Sequence, residues 1–106
     1  MTNRIQQIVA ELKLQLLQIY GPRLDQVILY GSQARGDAQP DSDIDVLVVL
    51  IGEVNIWQEI IHCENLISDV ALRHEVHISP MFASVDELQR AAEPLFVNVR
   101  QEGIAI

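Results

Sequence analysis

Two aspartates stand at the mouth of an apolar run: Asp43-Ile44-Asp45 leads directly into Val46-Leu47-Val48-Val49-Leu50. Such a run reads as a buried strand. Carboxylates at i and i+2 on a strand point to one face, so Asp43 and Asp45 sit side by side with like charge. A fold does not need that arrangement, which costs free energy unless a cation neutralises it. A hard divalent ion such as Mg²⁺ is held by one or two carboxylates together with substrate phosphates. Upstream, Gly31-Ser32 forms a turn. Its backbone N–H groups, at the start of a helix, would supply the phosphate end of such a site.

These residues carry a resemblance. Leu29-Tyr30-Gly31-Ser32 matches the first half of the pattern hG[GS]…Dx[DE]h, and Asp43-Ile44-Asp45-Val46 the second. That pattern is the signature of the nucleotidyltransferase superfamily whose best-known member is DNA polymerase beta. The wording Gly31-Ser32-Gln33-Ala34-Arg35-Gly36-Asp37 followed by Ser42-Asp43-Ile44-Asp45 most resembles the minimal nucleotidyltransferases (MNT), often encoded beside a HEPN-domain partner. The tail from Pro94 to Ile104 is similar to the ending of MNT proteins. The resemblance is specific over residues 27–50 and weaker elsewhere.

The resemblance implies an α/β (α+β) fold of the polymerase-beta type, a small mixed sheet with helices packed mainly on one face and the active site on the other. It implies transfer of a nucleoside monophosphate, AMP from ATP, onto a hydroxyl. It also implies Mg²⁺ on Asp43 and Asp45, with a second ion near the attacking hydroxyl. The implied partner is a HEPN-type ribonuclease toxin neutralised by adenylylation of a tyrosine, with this chain as the antitoxin.

Bulk properties narrow the class. A chain of 106 residues reads as one domain over 1–106, with a single core. It looks too short for the acceptor lobe that kanamycin-type nucleotidyltransferases carry. Composition is that of an ordinary folded protein, 49% hydrophobic and 21% charged. No apolar run approaches the roughly 18 residues of a membrane span. Glu11 and Lys13 interrupt any signal-peptide core after Met1-Thr2-Asn3-Arg4, which reads as a cytoplasmic protein. The lone Cys63 fits a reducing compartment and reads as a buried thiol. A net charge of −8 with no basic stripe argues against nucleic acid and for a basic protein partner. Self-association is expected from the abundance of apolar residues.

Periodicity predicts a helix over 4–20, stopped by Gly21-Pro22. Val27–Tyr30 is a short strand and Gly31-Ser32 turns into one or two helical turns. Gly36–Ser42 is a polar loop. Ile44–Ile51 is the central strand. Asn55 caps a helix running to about Leu72 through Ile56, Ile60, Cys63, Ile67 and Val70. Glu75–Phe82 alternates and predicts a third strand. Ser84-Val85-Asp86-Glu87 is a capping box, and Pro94 opens a last helix ending at Gly103. Alternating strands and helices give an α/β sandwich.

Gly31, Ser32, Arg35 and Ser42 are the candidate nucleotide-binding residues. Gly31 allows close backbone approach, and Ser32 offers N–H and hydroxyl to a phosphate. Arg35 either stabilises phosphate charge or pairs with Asp37 or Asp41. Asp41 and Ser42 shape the turn that aims Asp43. The catalytic set is Asp43 and Asp45 with a third member, Glu75 or His77. The family resemblance implies a third carboxylate on a neighbouring strand, and within Val76-x-Ile78 that position holds His77. A histidine is a poor Mg²⁺ ligand but a competent general base. Glu75, on the same face of the predicted strand, is the alternative. Asp69 falls on a helix, His62 and His74 read as surface residues, and Trp57 and Phe82 as packing or interface residues. Two functional classes stay open: an enzyme, or a catalytically weak binding module that neutralises its partner by complex formation. A regulatory subunit is a third.

Overall fold

The computed structural model describes residues 2–106. Helix α1 (Asn3–Tyr20) begins where the Ile5 N–H donates to the Thr2 hydroxyl. It buries Ile5, Ile8, Val9, Leu12 and Leu16 on one stripe. A single 3₁₀ turn, Gly21–Arg23, leads into β1 (Leu24–Tyr30). Helix α2 (Ser32–Arg35) is one turn long, and β2 (Ile44–Leu50) follows the polar loop. Helix α3 (Ile56–His74) is capped by Asn55, whose Oδ1 accepts from the Gln58 N–H at 3.1 Å. Then come β3 (Ile78–Ser84), α4 (Val85–Arg90), α5 (Pro94–Glu102) and β4 (Ile104–Ala105). The Ser84–Glu87 capping box forms in both directions, each bond 3.1 Å.

The sheet order is β3-β2-β1-β4. β1 is antiparallel to β2 and to β4, whereas β2 and β3 are parallel and joined through α3. The sheet is therefore mixed, as expected. Pro80 lies in β3, an edge strand, where its missing N–H does least harm.

Strand alternation splits the core in two. Val27, Leu29, Ile44, Val46, Val48, Leu50 and Phe82 face the long helices α1 and α3. Ile28, Leu47, Val49 and Ala83 face the short helices α4 and α5, through Leu88, Phe96 and Val99. Most helical mass thus lies on one face, and the second face is only partly covered. Close packing of α5 on β1 depends on Gly103: a Cβ there would meet Val99 O at 2.5 Å and Ile28 Cγ2 at 2.6 Å. At the far end of α1, the buried Glu59 accepts from the Tyr20 hydroxyl (2.8 Å) and from Arg23 (3.2 Å). Cys63 is buried beside Tyr20. Among the described residues no helix is long and apolar enough to cross a membrane.

Three differences from expectation have a physical cause in strand pairing and capping. β1 starts at Leu24 rather than Val27, because Leu24 pairs with Leu50 across a bulge that polar Asp25 and Gln26 conceal in the sequence. The tail after Gly103 adds the short strand β4, which pairs with Ile28 and Leu29. The third strand begins at Ile78, so Glu75 is not on it. Glu75 closes α3 in the left-handed region (φ 54°, ψ 47°), and its N–H returns to the carbonyls of Ala71 and Leu72. The alternation from Glu75 to Ile78 starts one helix cap too early to be all strand.

Candidate active site

The site is assembled where the end of β1 meets the start of β2. Tyr30 pairs with Asp45 across the two strands. Immediately after Tyr30, Gly31 adopts φ 74°, ψ −154° and starts α2. A Cβ on Gly31 would overlap the Asp45 carboxylate. Only glycine leaves room for that carboxylate against the turn, and only glycine adopts this backbone without strain. The first N–H groups of α2, at Ser32 and Gln33, have no partner within the helix.

Asp43 and Asp45 fall on the parity of Leu47 and Val49, the partly covered face of the sheet. Asp45 is partly buried and Asp43 exposed. Burial pushes the Asp45 carboxyl above the usual aspartate range, the Asp43 charge adds to this, and Arg35 pulls the other way. The Tyr30 phenol is also pushed up, by burial and by Asp45. Stored like charge of this kind marks a place that gains from a bound cation.

Other residues singled out from the sequence are placed as follows. Arg35 forms ion pairs with Asp37 and Glu102, both at 3.2 Å, and none with Asp41. It still lies close enough to influence Asp45. The Ser42 hydroxyl accepts from the Gln39 N–H at 2.8 Å, and the Ser42 N–H returns to Gln39 O at 3.0 Å. Ser42 therefore closes the turn that delivers Asp43. The His77 carbonyl accepts from the Ile44 N–H at 2.8 Å, which sets His77 alongside Asp43. Val76 and Ile78 pack against the α1/α3 core, so His77 falls on the opposite parity, with its side chain exposed. Glu75 and His77 do not share a strand face, because Glu75 belongs to the helix cap. Among the described residues no three His, Cys, Asp or Glu side chains converge as a metal site.

Two residues that contact candidate-site side chains escaped the sequence reading. Ser79 pairs with Asp45 on β3, and its Oγ donates to Asp43 Oδ2 at 3.2 Å. Its signal was the alternation His77-x-Ser79 before an edge-strand proline. Glu102, the partner of Arg35, is distant in sequence and left no local signal. A surface cleft of about 730 Å³ lies at the opposite end of β2, lined by Ile51, Glu53, Ser84 and Asp86. We take the carboxylates as the candidate site instead, because there a like-charged pair stands against the Gly31 turn at the start of β2.

Residues 9–100 match the model of the nucleotidyltransferase domain. The chain belongs to that family. As a nucleotidyltransferase it is also 38% identical over 75 residues to a Methanocaldococcus jannaschii chain that carries the name of a protein adenylyltransferase, covering 71% of this chain and 75% of that one. A second M. jannaschii chain of the same name is 35% identical over 85 residues, 79% of each. Among solved structures, the nucleotidyltransferase resembles a minimal nucleotidyltransferase (TM-score 0.59, 24% identity, 96% of this chain and 95% of that one). It resembles equally a toxin–antitoxin complex with AMP-PNP (TM-score 0.64, 21% identity, 98% and 72%). A third is a tri-AMPylated Shewanella oneidensis HEPN toxin in complex with an MNT antitoxin (TM-score 0.57, 19% identity, 95% and 70%).

The donor set fits a hard divalent cation shared with phosphates. Asp43 and Asp45 offer only oxygen, and the hollow made by Gly31 brings one carboxylate against the turn. Two protein carboxylates suffice where a triphosphate supplies the remaining oxygens.

Proposed function

We propose that this nucleotidyltransferase moves AMP from ATP onto a hydroxyl of a partner protein of the HEPN class, and so acts as its antitoxin. The observation that carries the reading is the contact of Gly31 with Asp45, which joins a phosphate-binding turn to a carboxylate pair. The names of the M. jannaschii relatives and the AMPylated HEPN complex support the choice of AMP and of a protein acceptor.

Gly31 and the N–H groups of Ser32 and Gln33 bind the triphosphate. Asp43 and Asp45 would hold Mg²⁺, which when bound neutralises phosphate charge and orients the leaving group. The acceptor oxygen attacks the α-phosphorus in line. The bond from that phosphorus to the bridging oxygen breaks and pyrophosphate leaves. The acceptor proton passes to the exposed His77 imidazole, which stands beside Asp43 at the position of a third acid. Arg35 balances charge from beside α5. Most of the acceleration is positioning.

A second reading, neutralisation by binding alone, is favoured by the lack of a third converging acid among the described residues. One assay separates the two. ATP labelled at the α-phosphate is incubated with Mg²⁺, this chain and its HEPN partner. Label on the partner, lost with Asp43→Asn/Asp45→Asn, supports transfer. A stable complex with no label supports the binding module.

A further inference from the structure

We propose that Ser79 is a positioning residue for Asp43; this rests on the reading of Asp43 and Asp45 as a cation-binding pair. The two aspartates are held very differently. Asp45 is inside β2, paired with Tyr30 and Ser79, partly buried, and seated in the hollow above Gly31. Asp43 precedes the strand at the end of the polar loop, and its side chain is exposed. Among the described residues its carboxylate has one side-chain hydrogen bond, from Ser79 Oγ at 3.2 Å.

Ser79 suits that task. It lies in the β2/β3 ladder opposite Asp45, so its backbone is fixed by strand pairing. Pro80 follows it, and a residue before proline is confined to extended backbone. The short side chain then has few rotamers, and one directs its hydroxyl diagonally to Asp43. A hydroxyl donating to one oxygen of a carboxylate leaves the rest of its lone pairs for a cation. Partners of this kind orient metal-binding groups and change affinity by roughly 10–100-fold when removed.

The test is Mn²⁺ binding, followed by electron paramagnetic resonance, in the presence of a non-hydrolysable ATP analogue. Ser79→Val and Ser79→Thr differ by one hydroxyl at nearly equal volume. Ser79→Val is expected to weaken Mn²⁺ binding about tenfold, and Ser79→Thr to stay within about twofold of wild type. Thermal unfolding of both is expected to match wild type, which a merely structural role would not give. Equal Mn²⁺ binding by Val, Thr and wild type would overturn the proposal while leaving the carboxylate pair intact. Absence of Mn²⁺ binding by wild type would overturn both the proposal and the reading it rests on.

Discussion

One strand, β2, shows the protein's two faces within a few residues. Ile44, Val46, Val48 and Leu50 point to α1 and α3 and are almost wholly buried. Asp43 and Asp45 point the other way, to a face that α4 and α5 leave open at this end. Each buried aliphatic side chain contributes about 1.5–3 kcal/mol, so the first face holds the fold together. The second lowers stability at its open end, by desolvating Asp45 and setting Asp43 beside it. Stability and chemistry are thus separated by the two-residue period of a strand, not by domains. Polar groups on the covered side are treated differently: Glu59 is buried but paired with Arg23 and Tyr20.

The sharpest way to break this separation is Gly31→Ala. The added Cβ would displace Asp45, and φ 74° is strained for alanine. We expect transfer to fall at least about 100-fold, since small misplacements cost that much. We expect an unfolding penalty of about 1–2 kcal/mol alongside. Label transfer and urea unfolding read the two effects.

On the covered side the expected effect is stability alone. Arg23→Ala leaves the buried Glu59 carboxylate without its cation. That should cost about 2–3 kcal/mol, below the cost of a fully buried pair because Arg23 is partly exposed. Urea unfolding would measure it, and transfer per folded molecule should not change. Glu75→Gly is expected to do the reverse. Glycine removes the left-handed strain at the α3 cap and should add about 1 kcal/mol. Retained transfer would also show that Glu75 is not the third acid.

The smallest effect concerns Asp45 itself. Its folded-state pKa is raised above 3.8, so the folded protein binds the proton more tightly than the unfolded chain. Wild type therefore loses stability as pH rises through that window. Asp45→Asn escapes the loss. It should be more stable than wild type at neutral pH by about 0.5–1 kcal/mol, kept small by partial exposure. The difference should vanish below about pH 3.8. Thermal unfolding across pH reads it.

Much of this division was legible in the sequence. Helical periodicity marked α1 and α3, the Ser84–Glu87 box marked α4, and the Gly31-Ser32 and Asp43-x-Asp45 pairs marked the candidate site. Those signals are local: spacing, caps and turn residues. What escaped was set by pairing at a distance. Leu24 joins β1 only because Leu50 lies opposite, and Ile104 becomes a strand only because β1 offers an edge. Glu75 looked like strand because its alternation with His77 is real, but α3 runs on and a left-handed glutamate ends it. Ser79 reaches the site through β3 pairing, announced only by its alternation with His77, and Glu102 through α5 docking, which no local pattern announces.

The most direct test is α-phosphate label transfer by Asp43→Asn/Asp45→Asn after its folding has been checked. Our account predicts a variant at least as stable as wild type that moves no label to the HEPN partner. Full transfer by a folded double variant would contradict it.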